Sequence, residues 1–140
     1  MTDRYHVSRK IAAPPQAVWD LLSDTSTYAD WNPAVVSISG TIAEGNTVSI
    51  VSIVNPKRTF KLNVTAVEPP RRMVWSDGMP FGLFKGERTY LVEPDGAGSV
   101  FSMTELYTGP LAGLITKTIP DMTDSFDKFA DGLKAAAEGA

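Results

Sequence analysis

The chain contains no cysteine and a single histidine, His6. The first absence excludes disulfides, thiolate nucleophiles and Cys-ligated zinc. The second makes a Ser-His-Asp relay or a His-rich metal centre improbable, because His6 alternates with Tyr5 and Val7 and so is expected to face solvent. No apolar run approaches the length of a membrane span, and the amino terminus Met1 to His6 lacks the apolar core of a signal peptide. A cytoplasmic protein without integral membrane association is the expectation. Also missing are a phosphate-binding glycine loop, a dinucleotide fingerprint, internal repeats and any low-complexity linker. Positive charge is not in excess: 13 Lys and Arg stand against 16 Asp and Glu, a net charge of -3. That balance argues against nucleic acid or an anionic membrane as the main partner. Lys57-Arg58 and Arg71-Arg72 read as solvated turns. No metal or cofactor is called for.

What is present is a core. With 140 residues, 43% of them hydrophobic, residues 1–140 read as one domain able to fold alone. Tyr5, Val7 and Ile11 share a parity in a first strand from about Asp3 to Ala12. Pro14-Pro15 then opens a short helix bearing Val18, Trp19, Leu21 and Leu22, since proline suits a first helical turn. Asp24 or Thr25 is placed to cap a second brief helix ending before Pro33. Beyond it, Val35 to Gly40 and Thr47 to Val54 form a hairpin signal around Glu44-Gly45-Asn46. Phe60 to Ala66 and Met73 to Ser76 give two more strands about Pro69-Pro70. Phe84 to Glu93 and Ser99 to Thr108 flank the turn Pro94 to Gly98. Seven strands are expected, all but the first consecutive in a meander.

After Thr108 the period changes from two to about 3.5, with Leu111, Ile115, Ile119, Met122, Phe126, Phe129 and Leu133 forming a stripe. Pro120 interrupts it, because an interior proline loses a backbone hydrogen bond. The expectation is a short helical turn over Leu111 to Lys117 and a long helix from about Pro120 to Glu138.

Several pieces in fixed order carry a resemblance over nearly the whole chain. They are Ile11-x-Ala13-Pro14-x-x-x-Val18-Trp19, Tyr28-x-x-Trp31-x-Pro33, Gly45 before a strand, Glu68-Pro69 leading to Met73-Val74-Trp75, Gly86-x-Arg88, and Phe126-x-x-Phe129-x-x-x-Leu133-Lys134. On these the chain resembles the START-like, or SRPBCC, superfamily, which includes the birch-pollen-allergen fold and the polyketide cyclase and dehydrase group. The resemblance implies an α+β helix-grip fold, in which a strongly curved antiparallel sheet wraps a long carboxy-terminal helix around a hydrophobic cavity. It implies lipid carriage, cyclase chemistry or interaction roles without choosing among them.

A curved sheet and a straight helix leave space between them, lined by the inward parity of the strands. Tyr90 and Val92 point inward, with Phe84, Gly86 and Arg88 on the same face. Pairing Val92 with Phe101 then sets Met103 opposite Tyr90, Glu105 opposite Arg88 and Tyr107 opposite Gly86. The expected cavity residues are Met73, Trp75, Phe84, Arg88, Tyr90, Phe101, Met103, Glu105, Tyr107, Met122 and Phe126. Arg88 and Glu105 read either as a polar anchor for a ligand oxygen or as a structural ion pair, since a buried charge is tolerable only when paired. Tyr90 and Tyr107 read as orienting hydroxyls, as weak acids, or as core residues bonded to backbone. Trp19, Trp31 and Trp75 read as core before ring-stacking platforms, with Trp75 nearest the cavity. Two-carboxylate catalysis would need Glu105 with Asp77 or Glu87, and the spacing does not bring them together. No catalytic residue is assigned. The loop Gly78 to Phe84 reads as an entrance flap or as a plain connection with Phe81 tucked in.

The leading expectation is a bacterial-type protein, a monomer or weak homodimer, that carries a small hydrophobic or amphipathic molecule such as a lipid or polyketide. The alternatives are a cyclase or dehydrase acting in the same cavity, and an interaction module whose cavity is plugged by Met103, Trp75 and Phe126.

Overall fold

The computed structural model describes residues 4–139. Seven strands form one antiparallel sheet in the order β1-β7-β6-β5-β4-β3-β2. They are β1 (Arg4–Ile11), β2 (Val35–Ser39), β3 (Thr47–Ser52), β4 (Phe60–Glu68), β5 (Arg72–Gly78), β6 (Lys85–Asp95) and β7 (Gly98–Thr108). Strands β2 to β7 are a meander, and β1 closes the far edge against β7, as the sequence leads one to expect. Asp3, at the expected start of β1, lies outside the described residues.

Two register shifts help to curve the sheet. One falls between Val35 and Ser37 on β2 and the other between Val64 and Ala66 on β4. An extra residue on one strand bends it and sharpens its twist. Between β1 and β2 lie α1 (Pro15–Leu22) and α2 (Tyr28–Trp31), joined by a 3₁₀ turn over Thr25–Thr27. Asp24 is the capping residue: its carboxylate accepts from the Ser26 N–H at 3.0 Å and from the Ser26 hydroxyl at 2.6 Å.

The carboxy-terminal segment departs from expectation at Pro120. A short helix α3 (Ala112–Ile115) runs into a 3₁₀ turn over Thr116–Thr118, and the long helix α4 spans Thr123–Gly139. Pro120 therefore neither kinks the long helix nor starts it. The start falls later because Asp121 accepts from both the N–H of Thr123 at 2.9 Å and its hydroxyl at 2.7 Å, a local side-chain arrangement that competes with helix. The apolar stripe is thus divided. Leu111, Ile115, Ile119 and Met122 are half-buried outside the helix, while Phe126, Phe129 and Leu133 are buried on it, joined by Ala130 and Ala137.

Helix α4 is fastened to β1 as well as packed on the sheet. Arg9 on β1 donates to Asp131 at 2.7 Å and to Asp127 at 3.0 Å, and Glu138 accepts from the Ala12 N–H at 2.8 Å. On its other side α4 meets the end of α2 at Gly132. A Cβ added there would lie 2.2 Å from the Trp31 carbonyl oxygen and 2.9 Å from the Pro33 ring. Helix propensity alone would favour alanine by about 1 kcal/mol. The clash is with backbone and reverses the sign, so Gly132→Ala is expected to destabilise by about 1–3 kcal/mol. Urea unfolding at or above the wild-type midpoint would refute the close approach.

Candidate functional site

The curvature leaves a cavity of about 310 Å³ between the sheet, α4 and the segment leading to it. Such a volume is at the small end of ligand pockets, roughly 300–1,000 Å³. Its wall is supplied by Ile50 on β3, Phe60 and Leu62 on β4, Trp75 and Asp77 on β5, Gly86 and Arg88 on β6, and Glu105 and Tyr107 on β7. Ile115, Ile119, Met122 and Phe129 close it from the helical side, and Val54, Asn55, Arg58 and Phe84 stand on the loops at one end.

On β6 and β7 the expected register is the observed one. Val92 faces Phe101, Tyr90 faces Met103, Arg88 faces Glu105 and Gly86 faces Tyr107. Six of the eleven expected residues, Trp75, Phe84, Arg88, Glu105, Tyr107 and Met122, line the cavity. The other five do not reach its wall. Met73, Tyr90, Phe101 and Met103 have no exposed surface, and Phe126 has almost none. They have the inward parity but sit where sheet and helix touch, so they pack the interior instead of facing open space. Parity fixes the face of a strand and says nothing about depth along it.

Further lining residues come from β2 to β5, the loops and the helical side, Ile115, Ile119 and Phe129 among them. Inward parity was already visible in Ile50, Phe60 and Leu62, and that alternation was the signal to follow. Arg58, expected in a solvated turn, is exposed but stands at the cavity mouth with its guanidinium 4.6 Å from the centre of the Phe60 ring. Phe81 is 98% exposed, which rules out the tucked connection.

Arg88, Glu105 and Tyr107 form a connected polar group on the cavity wall. Arg88 Nε lies 3.3 Å from Glu105 Oε1, with the two side chains 13% and 15% exposed. Arg88 Nη2 donates to Glu105 Oε2 at 3.4 Å, and the Tyr107 hydroxyl donates to the same oxygen at 2.7 Å. The guanidinium also lies 4.8 Å from the centre of the Phe126 ring, a cation–π placement. Burial works against the charge of Arg88, and Glu105 outweighs that and raises its pKa. Glu87, by contrast, pairs with Lys85 at 3.0 Å, whereas Asp77 and Glu105 share the cavity wall. His6 is exposed on the outer face, its Nδ1 2.7 Å from the Thr104 hydroxyl. Among the described residues no group of His, Asp and Glu is arranged to hold a metal ion.

Three buried donors in this region lack a well-aligned partner: Trp75 Nε1, Arg88 Nε and the Tyr90 hydroxyl. Burial pushes the Tyr90 phenol up to about 12, with the Arg88 guanidinium pulling against it. Burial likewise raises Tyr107, helped by Glu105, and raises Tyr28. A phenol raised in the folded state above its ordinary value near 10 stabilises the fold fully below about pH 10 and loses that contribution as pH climbs through the folded value. Thermal unfolding followed from pH 8 to 12 should therefore show a midpoint that falls above about pH 10. A flat midpoint across that window would contradict the burial of these three phenols.

A curved seven-stranded sheet closed over a long helix, with an internal cavity between them, defines a helix-grip protein of the START-like, or SRPBCC, class. The chain belongs to the family described as "Polyketide cyclase / dehydrase and lipid transport", which it matches over residues 2–138. No curated protein sequence matches it. Among solved structures it is similar to protein MLL2253 of Mesorhizobium loti, at 18% identity and TM-score 0.73, covering 98% of each chain. It is also similar to a norcoclaurine synthase point mutant of Thalictrum flavum in complex with a transition-state analogue, at 16% identity and TM-score 0.71, covering 98% of this chain and 94% of that one. A third is DynU16 from the dynemicin biosynthetic locus, at 15% identity and TM-score 0.68, where this chain is covered to 99% and that chain to 48%. At such identities the likeness is one of fold. Among the described residues no helix is long and apolar enough to cross a membrane.

Proposed function

We propose that this chain, acting as one domain, binds a small, neutral, largely apolar molecule in the cavity, with one oxygen of that molecule directed at Arg88 and Tyr107. The carrying observation is the cavity itself, open at about 310 Å³ and mostly apolar, with the paired Arg88 and Glu105 and the Tyr107 hydroxyl side by side on β6 and β7. Apolar burial supplies the affinity and a few placed polar groups supply orientation. Neutrality follows from the charges on the wall. Beside the ligand's oxygen, Arg88 and Glu105 are spent on each other, so an ionised group there would be desolvated without a spare countercharge. The Arg88 guanidinium and the Tyr107 hydroxyl are the donors this part of the wall presents. A carbonyl or hydroxyl oxygen is the acceptor that suits them.

A second reading, cyclisation or dehydration in the same cavity, is favoured by the Tyr107 hydroxyl held 2.7 Å from Glu105. There Tyr107 would give a proton to a ligand oxygen and Glu105 would hold the phenol in place. The open cavity counts against a plugged interaction module, because Met103 and Phe126 fill only the interior beside it.

The test is native mass spectrometry of protein purified from its host without detergent, followed by solvent extraction. A discrete added mass that extracts as a neutral apolar compound supports the reading and supplies a substrate for turnover assays. Bare protein that also ignores a panel of lipids and polyketides overturns it.

A further inference from the structure

Six large apolar side chains are exposed among the described residues, and four of them, Met79, Phe81, Leu83 and Leu114, gather at the mouth of the cavity. Val36 and Leu106 lie elsewhere. The gathering is fixed by backbone contacts. Leu111 N–H donates to the Leu83 carbonyl at 2.9 Å, and Gly109 lies so close that a Cβ would sit 2.6 Å from the same oxygen. Leu114 follows within one turn of Leu111. Phe84 and Ile115, the immediate neighbours of these tips, line the cavity.

Phe81 is the extreme case. It is 98% exposed, and its backbone lies in the left-handed region at φ 61°, where a non-glycine residue is unusual and a bulky one is strained. A large apolar ring held outward in a strained conformation is unfavourable twice over in water. Arg58 stands at the same mouth, and Lys57 and Lys117 are the chain neighbours of the mouth-lining residues Arg58 and Thr118. Among the described residues none of the three has a carboxylate within ion-pair distance. Arg58 and Thr118 line the same cavity as Phe84, so the segments that carry the three cations meet at the end that carries the apolar tips.

We propose that this end of the molecule docks on an anionic lipid surface, with Phe81 and Leu114 entering the boundary between headgroups and acyl chains and Lys57, Arg58 and Lys117 resting on the headgroups. The shape favours lipid over a protein partner. The apolar tips come from two separate segments, the connection from β5 to β6 and helix α3, and Phe81 stands almost wholly free of the rest of the chain. A fluid interface receives single protruding rings without shape matching, and basic residues add attraction to anionic lipid. The overall charge of -3 does not oppose this, because attraction at a surface decays within a Debye length and is set by the nearest groups. The docking surface stands whether or not the cavity holds a ligand.

The test is co-sedimentation with vesicles made of equal parts phosphatidylcholine and phosphatidylglycerol, with pure phosphatidylcholine vesicles alongside. The wild type should pellet with the anionic vesicles, less with the neutral ones, and less again as salt is raised. Phe81→Asn should bind at least about tenfold more weakly. Its thermal midpoint should equal or exceed that of the wild type, because asparagine accepts the left-handed conformation. A weakened variant is thereby separated from a misfolded one. Wild type left in the supernatant with both vesicles overturns the proposal, as does Phe81→Asn that binds like the wild type. A concentration-dependent dimer lost in Phe81→Asn, with no vesicle binding, assigns the face to a second copy of the chain instead.

Discussion

Arg88→Met alone is expected to lower the unfolding free energy by about 3–5 kcal/mol, while Arg88→Met combined with Glu105→Gln returns it to the wild-type value or above. The arginine and glutamate side chains are only 13% and 15% exposed. Removing the guanidinium leaves the Glu105 carboxylate facing an apolar cavity with only the Tyr107 hydroxyl to solvate it. Removing both charges replaces an ion pair by a thioether and an amide of similar volume, and Tyr107 can still donate to the amide oxygen. Methionine also fills the space over Phe126 once the cation–π contact is gone. Urea unfolding of the two single variants and the double variant closes the cycle. A double variant as unstable as the sum of the singles would show that the charges do not speak to each other. The same double variant decides between anchor and structural pair. Loss of oxygenated ligands from a stable fold supports the anchor, and an unchanged ligand panel leaves the pair with a structural role.

Phe129→Ala should have an effect of similar size, about 3–5 kcal/mol. The ring stands where the helical layer, the sheet and the cavity meet. It packs edge-on to Trp31 at 5.5 Å and to Tyr28 at 6.1 Å, lies 5.8 Å from Tyr90, and stacks parallel to Phe101 at 6.2 Å. Four aromatic neighbours cannot all collapse into the vacated space, so the variant carries both the lost transfer energy and a residual void. Because Phe129 also forms part of the cavity wall, the void opens into the ligand space. The variant should therefore accept bulkier apolar ligands than the wild type while unfolding at lower urea. A loss below about 1 kcal/mol would mean that the neighbours relax far more freely than close packing allows.

Much of the sheet was legible in the sequence because its turns are chemically explicit. Pro94 to Gly98 fixes where β6 ends and β7 begins, and from that turn the facing of Arg88 and Glu105 follows by counting. A cap at Asp24 or Thr25 was legible for the same kind of reason, although Asp24 caps the 3₁₀ turn over Thr25–Thr27 and not α2 itself. The start of α4 was not, because a periodic apolar stripe runs through Pro120 without a break in spacing, and the break is made by the Asp121 carboxylate bonding to Thr123. The cavity was half legible. Its β6 and β7 wall is local in sequence, but the opposite wall comes from Ile50, Phe60 and Leu62, whose place depends on how far the bulged strands curl. Met73, Tyr90, Phe101 and Met103 were assigned to the right face and the wrong depth. The outward Phe81 had no sequence signal beyond the glycines around it.

The closure of β1 against β7 bears on how the chain comes into being. Val7 faces Met103 and Ile11 faces Ser99, so the first strand of this sheet to be made has no partner until the last strand of the sheet has followed. Contacts so distant in sequence raise the contact order and slow folding. Until then the apolar face of β1 is uncovered, and the Arg9 clasp on Asp127 and Asp131 awaits a helix made later still. The meander from β2 to β7 can assemble by neighbour pairing as it emerges, but the chamber it curves around has no second wall before α4 arrives. The cavity is therefore a property of the completed domain, and no shorter, still-emerging piece encloses it.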